Sequence, residues 1–187
     1  MLDLEQLAPE TLRPISRREF DRMVAMGLFD EDERIELLHG LLVQMSPIGP
    51  KHNYVVRRLT EGLVLALHGR ATVSPQCSFA ASDDSEPLPD MAVLPLGDSK
   101  TEHPTQALLV IEVADSSLRK DRTIKRELYA AAQVLEYWVV NLQDDLIEVF
   151  REPRDGQYTS VRSEGLGSSI ALAAFPDVVV QVSDLLG

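Results

Sequence analysis

The sequence predicts an α/β protein in which helices cover the faces of a central β-sheet. Residues 90–94 and 107–113 are short and apolar apart from one acid each, which is typical of strands that are covered on both faces. Residues 51–68 and 118–133 instead repeat apolar side chains at helical spacing. Strands, a helix and further strands around one sheet indicate an α/β sandwich with helices on the sheet faces.

Length and composition predict a single domain. The chain has 187 residues, of which 44% are hydrophobic and 26% are charged, enough for one core and too few for two ordinary domains. We expect residues 1–30 to form an N-terminal helical segment and residues 31–187 to form the core. No apolar run approaches the roughly 20 residues that span a bilayer, and the first residues lack signal-peptide features. With the single cysteine Cys77, this favours a cytoplasmic protein that does not enter membranes.

The N-terminal half is predicted to begin with a helix at residues 17–26. Ser16 and Glu19 have the spacing of a capping box, and Gly27 is a typical helix stop. The later elements are predicted from alternating or helical apolar spacing. They are strands at 34–39, 41–46 and 71–81, with a turn at His39-Gly40, and the helix at 51–68.

The C-terminal half is predicted to place a long helix between strands. Residues 115–117 supply N-cap chemistry for the helix at 118–133. Its expected core residues are Ile124, Leu128, Ala131 and Leu135. The strands that surround it are predicted at 90–94, 107–113, 136–141, 146–151, 158–162 and 178–182, with a hairpin turn at 143–145 and a final turn at 183–186.

Two carboxylates stand inside the apolar strand segments. Asp90 begins one segment, and Glu112 lies near the end of the other. A charge in such a run is costly unless another group pairs with it or a metal binds it. Antiparallel pairing of the strands would let the two acids hold a divalent cation between them. On the next helix Lys125 shares a face with Asp121 and Tyr129, so its ammonium could lie over the acids.

Simpler interpretations stay open at this point. A Pro-Asp pair such as Pro89-Asp90 is often a turn or the entry to a strand, and Asp121 with Lys125 could be a solvated helix pair. Glu112 is the strongest single candidate, because a glutamate between Ile111 and Val113 is difficult to explain as a surface residue.

The ordered combination of motifs also resembles a known family. The motifs are Arg34-Ile35-Glu36-Leu37-Leu38-His39-Gly40, Met45-Ser46-Pro47, His52, Pro89-Asp90, Glu112-Val113-Ala114-Asp115-Ser116-Ser117, Asp121 through Lys125, and Leu135-Glu136-Tyr137-Trp138-Val139-Val140. Together they resemble the Uma-two family of bacterial proteins described as endonucleases, in the PD-(D/E)XK superfamily. The resemblance covers about residues 15 to 150. It implies a restriction-endonuclease-like core with a mixed central β-sheet flanked by helices.

The resemblance also implies the roles of the site residues. Asp90 would be the motif aspartate and Glu112 the second acid, and Val113 would add its backbone carbonyl to a site for Mg²⁺, which Mn²⁺ could replace. Position 114 is alanine and not the lysine of the parent pattern. The resemblance points instead to a lysine on the following helix, which Lys125 matches.

Three further residues are accessory candidates, and two of them have competing interpretations. Glu36 could border the metal site or face solvent on an alternating strand. His52 could contact a phosphate or water near the site, although a capping or surface histidine is the simpler interpretation. Asp121 is the third candidate. The basic residues expected to contact flanking phosphates are Arg119, Lys120, Arg122 and Arg126.

The expected activity is metal-dependent hydrolysis of phosphodiester bonds in nucleic acid, with DNA as the expected substrate. The net charge of −12 argues against a protein that coats nucleic acid through bulk electrostatics. A local basic cleft stays compatible with this charge. The alternative is a catalytically inactive protein of the same fold that binds or scaffolds. Cutting both strands of a duplex with one site per chain would favour a homodimer.

Overall fold

A capping box starts the first helix, α1 (Arg17–Ala25), in the computed structural model of the chain, which describes residues 11–30, 32–97 and 100–187. The Ser16 hydroxyl and the Glu19 carboxylate each accept a hydrogen bond from the other residue's backbone N–H. The antiparallel hairpin of β1 (Ile35–Leu38) and β2 (Leu41–Gln44) comes next. It turns at His39 and Gly40, whose φ angles are +49° and +75°, as expected for a type I′ turn.

The described residues form two compact units. The first contains the described residues up to Met45 together with Ser82–Glu86, and the second contains Ser46–Ala81 and Pro87–Gly187. In the first unit, Leu37 of β1 forms an antiparallel bridge with Glu86, and the backbone N–H of Gly40 donates to the carbonyl of Asp84. The segment 82–86 is therefore tied to the hairpin.

A six-stranded mixed sheet forms the centre of the second unit. The neighbouring strands β5 and β6 run parallel, and every other neighbouring pair is antiparallel. The sheet confirms the predicted fold class, a mixed central sheet flanked by helices. Its strands in spatial order are β3 (Thr72–Pro75), β4 (Met91–Leu94), β5 (Leu109–Ala114), β6 (Glu136–Asn141), β7 (Leu146–Arg154) and β8 (Gln157–Gly165).

Each face of the sheet is covered by a different part of the chain. On one face, Leu59 of α2 (Pro50–Ala66) belongs to the same buried cluster as Ile111 and Trp138. On the other face, Tyr129 belongs to a cluster with Val110 and Tyr137 of the sheet. The C-terminal elements join the α2 side of the core. They are β9 (Ser169–Ala171), which the sequence did not predict, β10 (Val179–Gln181) and α5 (Ser183–Leu186).

The connection from β5 to β6 is not the continuous helix predicted at 118–133. It consists of α3 (Leu118–Lys120), a π-helical turn (Asp121–Lys125) and α4 (Arg126–Ala131). A π turn contains an extra residue, which changes the helical phase of the residues after it. The predicted core stripe is wrong at three of its four positions. Ile124 lies inside the π turn and is 42% exposed, and Ala131 and Leu135, at the last residue of α4 and beyond it, are also exposed.

The strand predicted at 71–81 is shorter than expected. It ends at Pro75, because Gln76 has a φ of +49° that a strand cannot continue through. Beyond it, the N–H groups of Phe79 and Ala80 donate to loop carbonyls of Pro87 and Pro104. The other predicted elements are confirmed with ends shifted by at most three residues. Among the described residues, no helix combines the length and the apolar character needed to cross a bilayer.

Candidate functional site

The strand register places Asp90 and Glu112 on one face of the sheet. In the antiparallel pair of β4 and β5, Met91 lies opposite Ile111. Continuing the register by one residue sets Asp90 opposite Glu112, and residues opposite each other in such a pair point to the same face. Both are buried, with 5% and 3% of their surface exposed. The register therefore sets the two predicted acids opposite each other at the start of β4, and the β5–β6 connection contacts Glu112 there through Lys125.

One oxygen of Asp90 receives two contacts. Oδ2 accepts a hydrogen bond from the backbone N–H of Val113 over 2.8 Å, and Nε2 of His52 lies 3.0 Å from the same oxygen. The other carboxylate oxygen, Oδ1, has no hydrogen bond or ion pair among the described residues. These contacts fix the carboxylate while they leave one oxygen for another ligand, as expected for a carboxylate that is oriented by outer partners.

Glu112 is held by a lysine and a tyrosine from the connection above it. Oε1 accepts hydrogen bonds from Lys125 Nζ over 2.9 Å and from Tyr129 Oη over 2.8 Å. Lys125 lies at the end of the π turn and is only 1% exposed. An ammonium and a hydroxyl in contact with one carboxylate oxygen offset much of the cost of burying that carboxylate. The sequence indicated that Lys125 and Tyr129 share a face, but it gave Tyr129 no role.

Asp121 is a third buried acid on the same side of the sheet. It is 1% exposed, and its Oδ2 accepts a hydrogen bond from the Ser117 hydroxyl over 2.6 Å. Its Oδ1 is buried and has no hydrogen-bond partner in the described part of the chain. Burial raises the pKa of this carboxyl, and the positive charge of Lys125 opposes that effect. A buried oxygen without a partner is rare in folded proteins and requires an explanation.

All three acids influence the same buried group, the hydroxyl of Tyr137. The pKa of the buried Tyr137 hydroxyl is raised well above its usual value, first by burial and then by nearby groups that include Asp121, Glu112 and Asp90. When ionised, these three carboxylates concentrate negative charge in a buried region, and the positive charges of Lys125 and Lys120 act on Asp121. Carboxylate oxygens are the ligands that Mg²⁺ and Mn²⁺ prefer. The donor set therefore fits a metal ion.

The acids do not all converge on one point. In the described part of the chain, the ligand atoms of Asp90, Glu112 and Asp121 do not all lie within 4.8 Å of one another. A cation at the predicted pair would thus have at most two side-chain ligands from these acids in this arrangement. That number agrees with Mg²⁺ sites, which usually keep several waters.

Two accessory residues differ from the simpler interpretations. His52 is neither a cap nor a surface residue: Gly49 is the N-cap of α2, and the His52 ring contacts Asp90 with 12% of its side chain exposed. It lies in the first turn of α2, which begins at Pro50. Glu36 of β1 is fully buried in the first unit, so the solvent-facing interpretation is wrong. Its place at a metal site stays a prediction.

The predicted phosphate contacts differ in their availability. Arg119 is exposed and Lys120 is half-buried. Arg122 instead forms an ion pair with Glu148, to which its Nε donates over 2.7 Å, and this carboxylate raises the pKa of Arg122. The guanidinium of Arg126 lies 5.9 Å above the ring of Phe150. Arg122 and Arg126 therefore have partners within the protein.

Comparison with known proteins identifies the fold and the family of the chain. A crystal structure at 1.96 Å of a protein titled a putative nuclease belonging to DUF820, from Anabaena variabilis ATCC 29413, matches with a TM-score of 0.72. The match has 14% sequence identity and covers 92% of this chain and 98% of that one, so it shows the shared fold. No curated protein matches. The model of the Uma2 family, described as "Putative restriction endonuclease", matches residues 17–183. The chain therefore belongs to the Uma2 family, as its motifs predicted.

Proposed function

We propose that this protein is a metal-dependent endonuclease that hydrolyses phosphodiester bonds of DNA, with Mg²⁺ as its cofactor and Mn²⁺ as a substitute. The observation that carries the proposal is the pair of buried acids, Asp90 and Glu112, on one face of the sheet, together with a third buried acid, Asp121, whose Oδ1 has no hydrogen-bond partner among the described residues. Burying carboxylates is costly for stability, and a bound cation would offset that cost. Membership of the Uma2 family supports the same activity.

Each residue has a defined part in the proposal. Asp90 and Glu112 would hold the ion with their carboxylates, and Val113 would add its backbone carbonyl. When bound, a divalent ion activates water and neutralises charge that develops on the phosphodiester. His52 holds Asp90 through Oδ2, so that Oδ1 keeps its direction. Lys125 donates a hydrogen bond to Glu112, and its ammonium would orient the attacking water and stabilise the transition state electrostatically.

The flanking phosphates would be bound by Arg119, which is exposed, and by Lys120, which is half-buried. Both residues lie in α3, just before the π turn that carries the buried Asp121 and Lys125. Contacts of this kind give affinity and orientation but little base specificity. They also explain how a protein with a net charge of −12 can bind a polyanion at one local surface.

Cleavage of DNA by the purified protein tests the proposal. Plasmid and single-stranded DNA are incubated with Mn²⁺ or with EDTA, using the wild type, Asp90→Asn and the control Asp155→Asn. Asp155 is exposed in the turn between β7 and β8, at a φ of +49° that asparagine tolerates. We expect cleavage by the wild type and the control in Mn²⁺ only. Equal cleavage by Asp90→Asn would show that the metal site is wrongly assigned.

A dimer is part of the proposal because one site cuts one strand. Two copies related by a two-fold axis could cut both strands of a duplex. Light scattering of the protein with and without DNA measures this directly. A monomer that only nicks plasmid would leave the nuclease proposal standing and remove the dimer.

The second candidate is a protein of the nuclease fold that binds or scaffolds but does not cleave. The contact of Lys125 with Glu112 favours it, since the ion pair satisfies one of the two acids without a metal, as does the alanine at position 114. Calorimetric titration with Mn²⁺ separates the two candidates. A non-catalytic protein of this kind would bind Mn²⁺ no better than the Asp90→Asn variant does.

A further inference from the structure

Asp121 has a feature that neither the acid pair nor the ion pair of Lys125 explains. Its side chain is anchored at one oxygen only, through the 2.6 Å hydrogen bond from the Ser117 hydroxyl to Oδ2. The other oxygen, Oδ1, is buried without a hydrogen-bond partner among the described residues. A fixed, buried carboxylate with one open oxygen is arranged to accept a hydrogen bond from a molecule that is not part of the protein.

The surroundings of Asp121 show where that molecule would lie. Besides the effect of burial, the positive charge of Lys125 lowers the pKa of the Asp121 carboxyl and the negative charge of Asp90 raises it. In addition to burial, Asp90, Glu112 and Asp121 all raise the pKa of the Tyr137 hydroxyl. The backbone carbonyl of Asp121 also accepts a hydrogen bond from that hydroxyl over 3.1 Å. The open oxygen is therefore in the same buried region as the Asp90 and Glu112 carboxylates.

Direct binding of one cation by all three acids does not fit this arrangement. Within the part of the chain that the structure describes, no ligand atoms of Asp90, Glu112 and Asp121 lie within 4.8 Å of one another as a set. Asp121 is therefore not a third direct ligand in this arrangement, and a water molecule bound to the ion would be the link between its carboxylate and the cation. Divalent ions such as Mg²⁺ keep several waters in protein sites, and carboxylates often contact those waters.

We infer that Asp121 is a positioning residue whose Oδ1 accepts a hydrogen bond from a water of the hydration shell of the cation held by Asp90 and Glu112. The inference rests on the proposed function, since it assigns Asp121 to the same metal site. The three acids would then have different roles: Asp90 and Glu112 bind the ion, and Asp121 orders water beside it.

The π turn is the structural reason that Asp121 can take this position. It contains both Asp121 and Lys125, and it turns both buried side chains toward the sheet while Ile124 between them is exposed. Single π turns inside helices are often found at functional sites. The Ser117 hydroxyl then fixes the rotation of the carboxylate, which determines the direction of Oδ1.

Calorimetric titration of the full chain with Mn²⁺ tests the inference without relying on cleavage. The variants are Asp121→Asn, which keeps the shape and removes the charge, Asp90→Asn, and the exposed control Asp155→Asn. Ser117→Ala is a second test that leaves the Asp121 charge in place and removes only the anchor of Oδ2. Circular dichroism and thermal unfolding show which variants are folded.

The expected result is a graded one. Asp121→Asn should keep measurable Mn²⁺ binding with a Kd raised about 10- to 100-fold, the range for outer partners of a metal site. Ser117→Ala should give a smaller increase, Asp155→Asn none, and Asp90→Asn should lose binding. Cleavage at saturating Mn²⁺ should also be slower in Asp121→Asn than in the control.

Other results overturn the inference in distinguishable ways. Wild-type affinity in both Asp121→Asn and Ser117→Ala, with only the unfolding temperature changed, would give Asp121 a purely structural role. A loss as complete as that of Asp90→Asn would make Asp121 a direct ligand. If the wild type itself binds no Mn²⁺, the proposed function fails and this inference fails with it.

Discussion

Lys125 donates a hydrogen bond from Nζ to Oε1 of Glu112 over 2.9 Å, and both side chains are almost completely buried. Removing one member of a buried ion pair leaves an uncompensated charge, which costs about 3 to 5 kcal/mol. We therefore expect Lys125→Met to lower the free energy of unfolding by about that amount, as measured by equilibrium urea unfolding. This residue supports the fold as well as the site.

The double variant Glu112→Gln with Lys125→Met controls for the loss of the lysine itself. Because it removes both charges, it should be more stable than Lys125→Met alone. A loss below about 1 kcal/mol in the single variant, the range of exposed pairs, would show that this contact does not behave as a buried ion pair.

His52 is expected to affect metal affinity through Asp90. Its Nε2 lies 3.0 Å from Oδ2 of Asp90, so His52→Ala should leave this oxygen held by the Val113 N–H alone and orient the carboxylate less firmly. We expect a Kd for Mn²⁺ about 10- to 100-fold higher, measured by calorimetry. His52→Gln carries an amide nitrogen at similar reach and should recover much of the affinity. His68→Ala, which changes an exposed histidine, is the control. Equal affinity in His52→Ala and His68→Ala would remove His52 from the site.

Asp121 is expected to make the metal-free protein less stable as the pH rises. Burial raises the pKa of this carboxyl above its usual value of 3.8, so the folded state holds the proton more tightly than the unfolded state does. Stability therefore falls as the pH rises from 3.8 through the folded-state pKa, and the loss persists above it. The Asp121→Asn variant has no carboxyl group at this position, so it should not show this loss of stability.

Urea unfolding in EDTA at several values between about pH 3.5 and about pH 7 measures this effect. The stability of Asp121→Asn minus that of the wild type should increase with pH over this range. A difference that does not change with pH would show that the Asp121 carboxyl titrates alike in both states.

The predictions from sequence succeeded where burial is set by a simple period. Asp90 and Glu112 were singled out because an acid inside an apolar strand is conspicuous, and the structure buries both. Antiparallel pairing of the two strands was the condition for the acids to meet, and β4 and β5 do pair in that sense. The stripe through Ile124 failed for the opposite reason: apolar spacing assumes that a helix buries its apolar side. In this connection the buried face carries Asp121 and Lys125, and the π turn changes the phase.

Contacts between residues that are distant along the chain could not be predicted from the sequence either. Arg122 looked like one of four basic residues available to phosphate, but its partner Glu148 lies on a strand 26 residues later. Nothing in the local pattern around either residue indicates the pairing. His52 likewise appeared to be a helix-start histidine until the fold brought α2 next to Asp90.

Glu136 explains the Glu-Tyr-Trp motif of the family in structural terms. This fully buried carboxylate accepts hydrogen bonds from Trp138 Nε1 over 2.9 Å, from Arg151 Nε over 2.7 Å and from the backbone N–H of Ala173 over 2.7 Å. We expect Glu136→Ala to destabilise the fold by about 3 to 5 kcal/mol. It should also expose the segment after β8 to proteases and change the fluorescence of Trp138, the single tryptophan.

The control for this variant is Glu127→Ala, an exposed position on α4. It should alter neither fluorescence nor proteolysis. If Glu136→Ala keeps wild-type stability but loses DNA cleavage, the motif belongs to the active site and the structural interpretation is wrong.

The binding of a divalent ion by Asp90 and Glu112 is tested most directly by the crystal structure of the protein soaked in Mn²⁺, with anomalous scattering collected to locate the ion. We expect a single strong peak in contact with both carboxylates, at about 2.0 to 2.2 Å from their oxygens. A peak elsewhere, or none at saturating Mn²⁺ while Lys125 still contacts Glu112, would contradict the metal site.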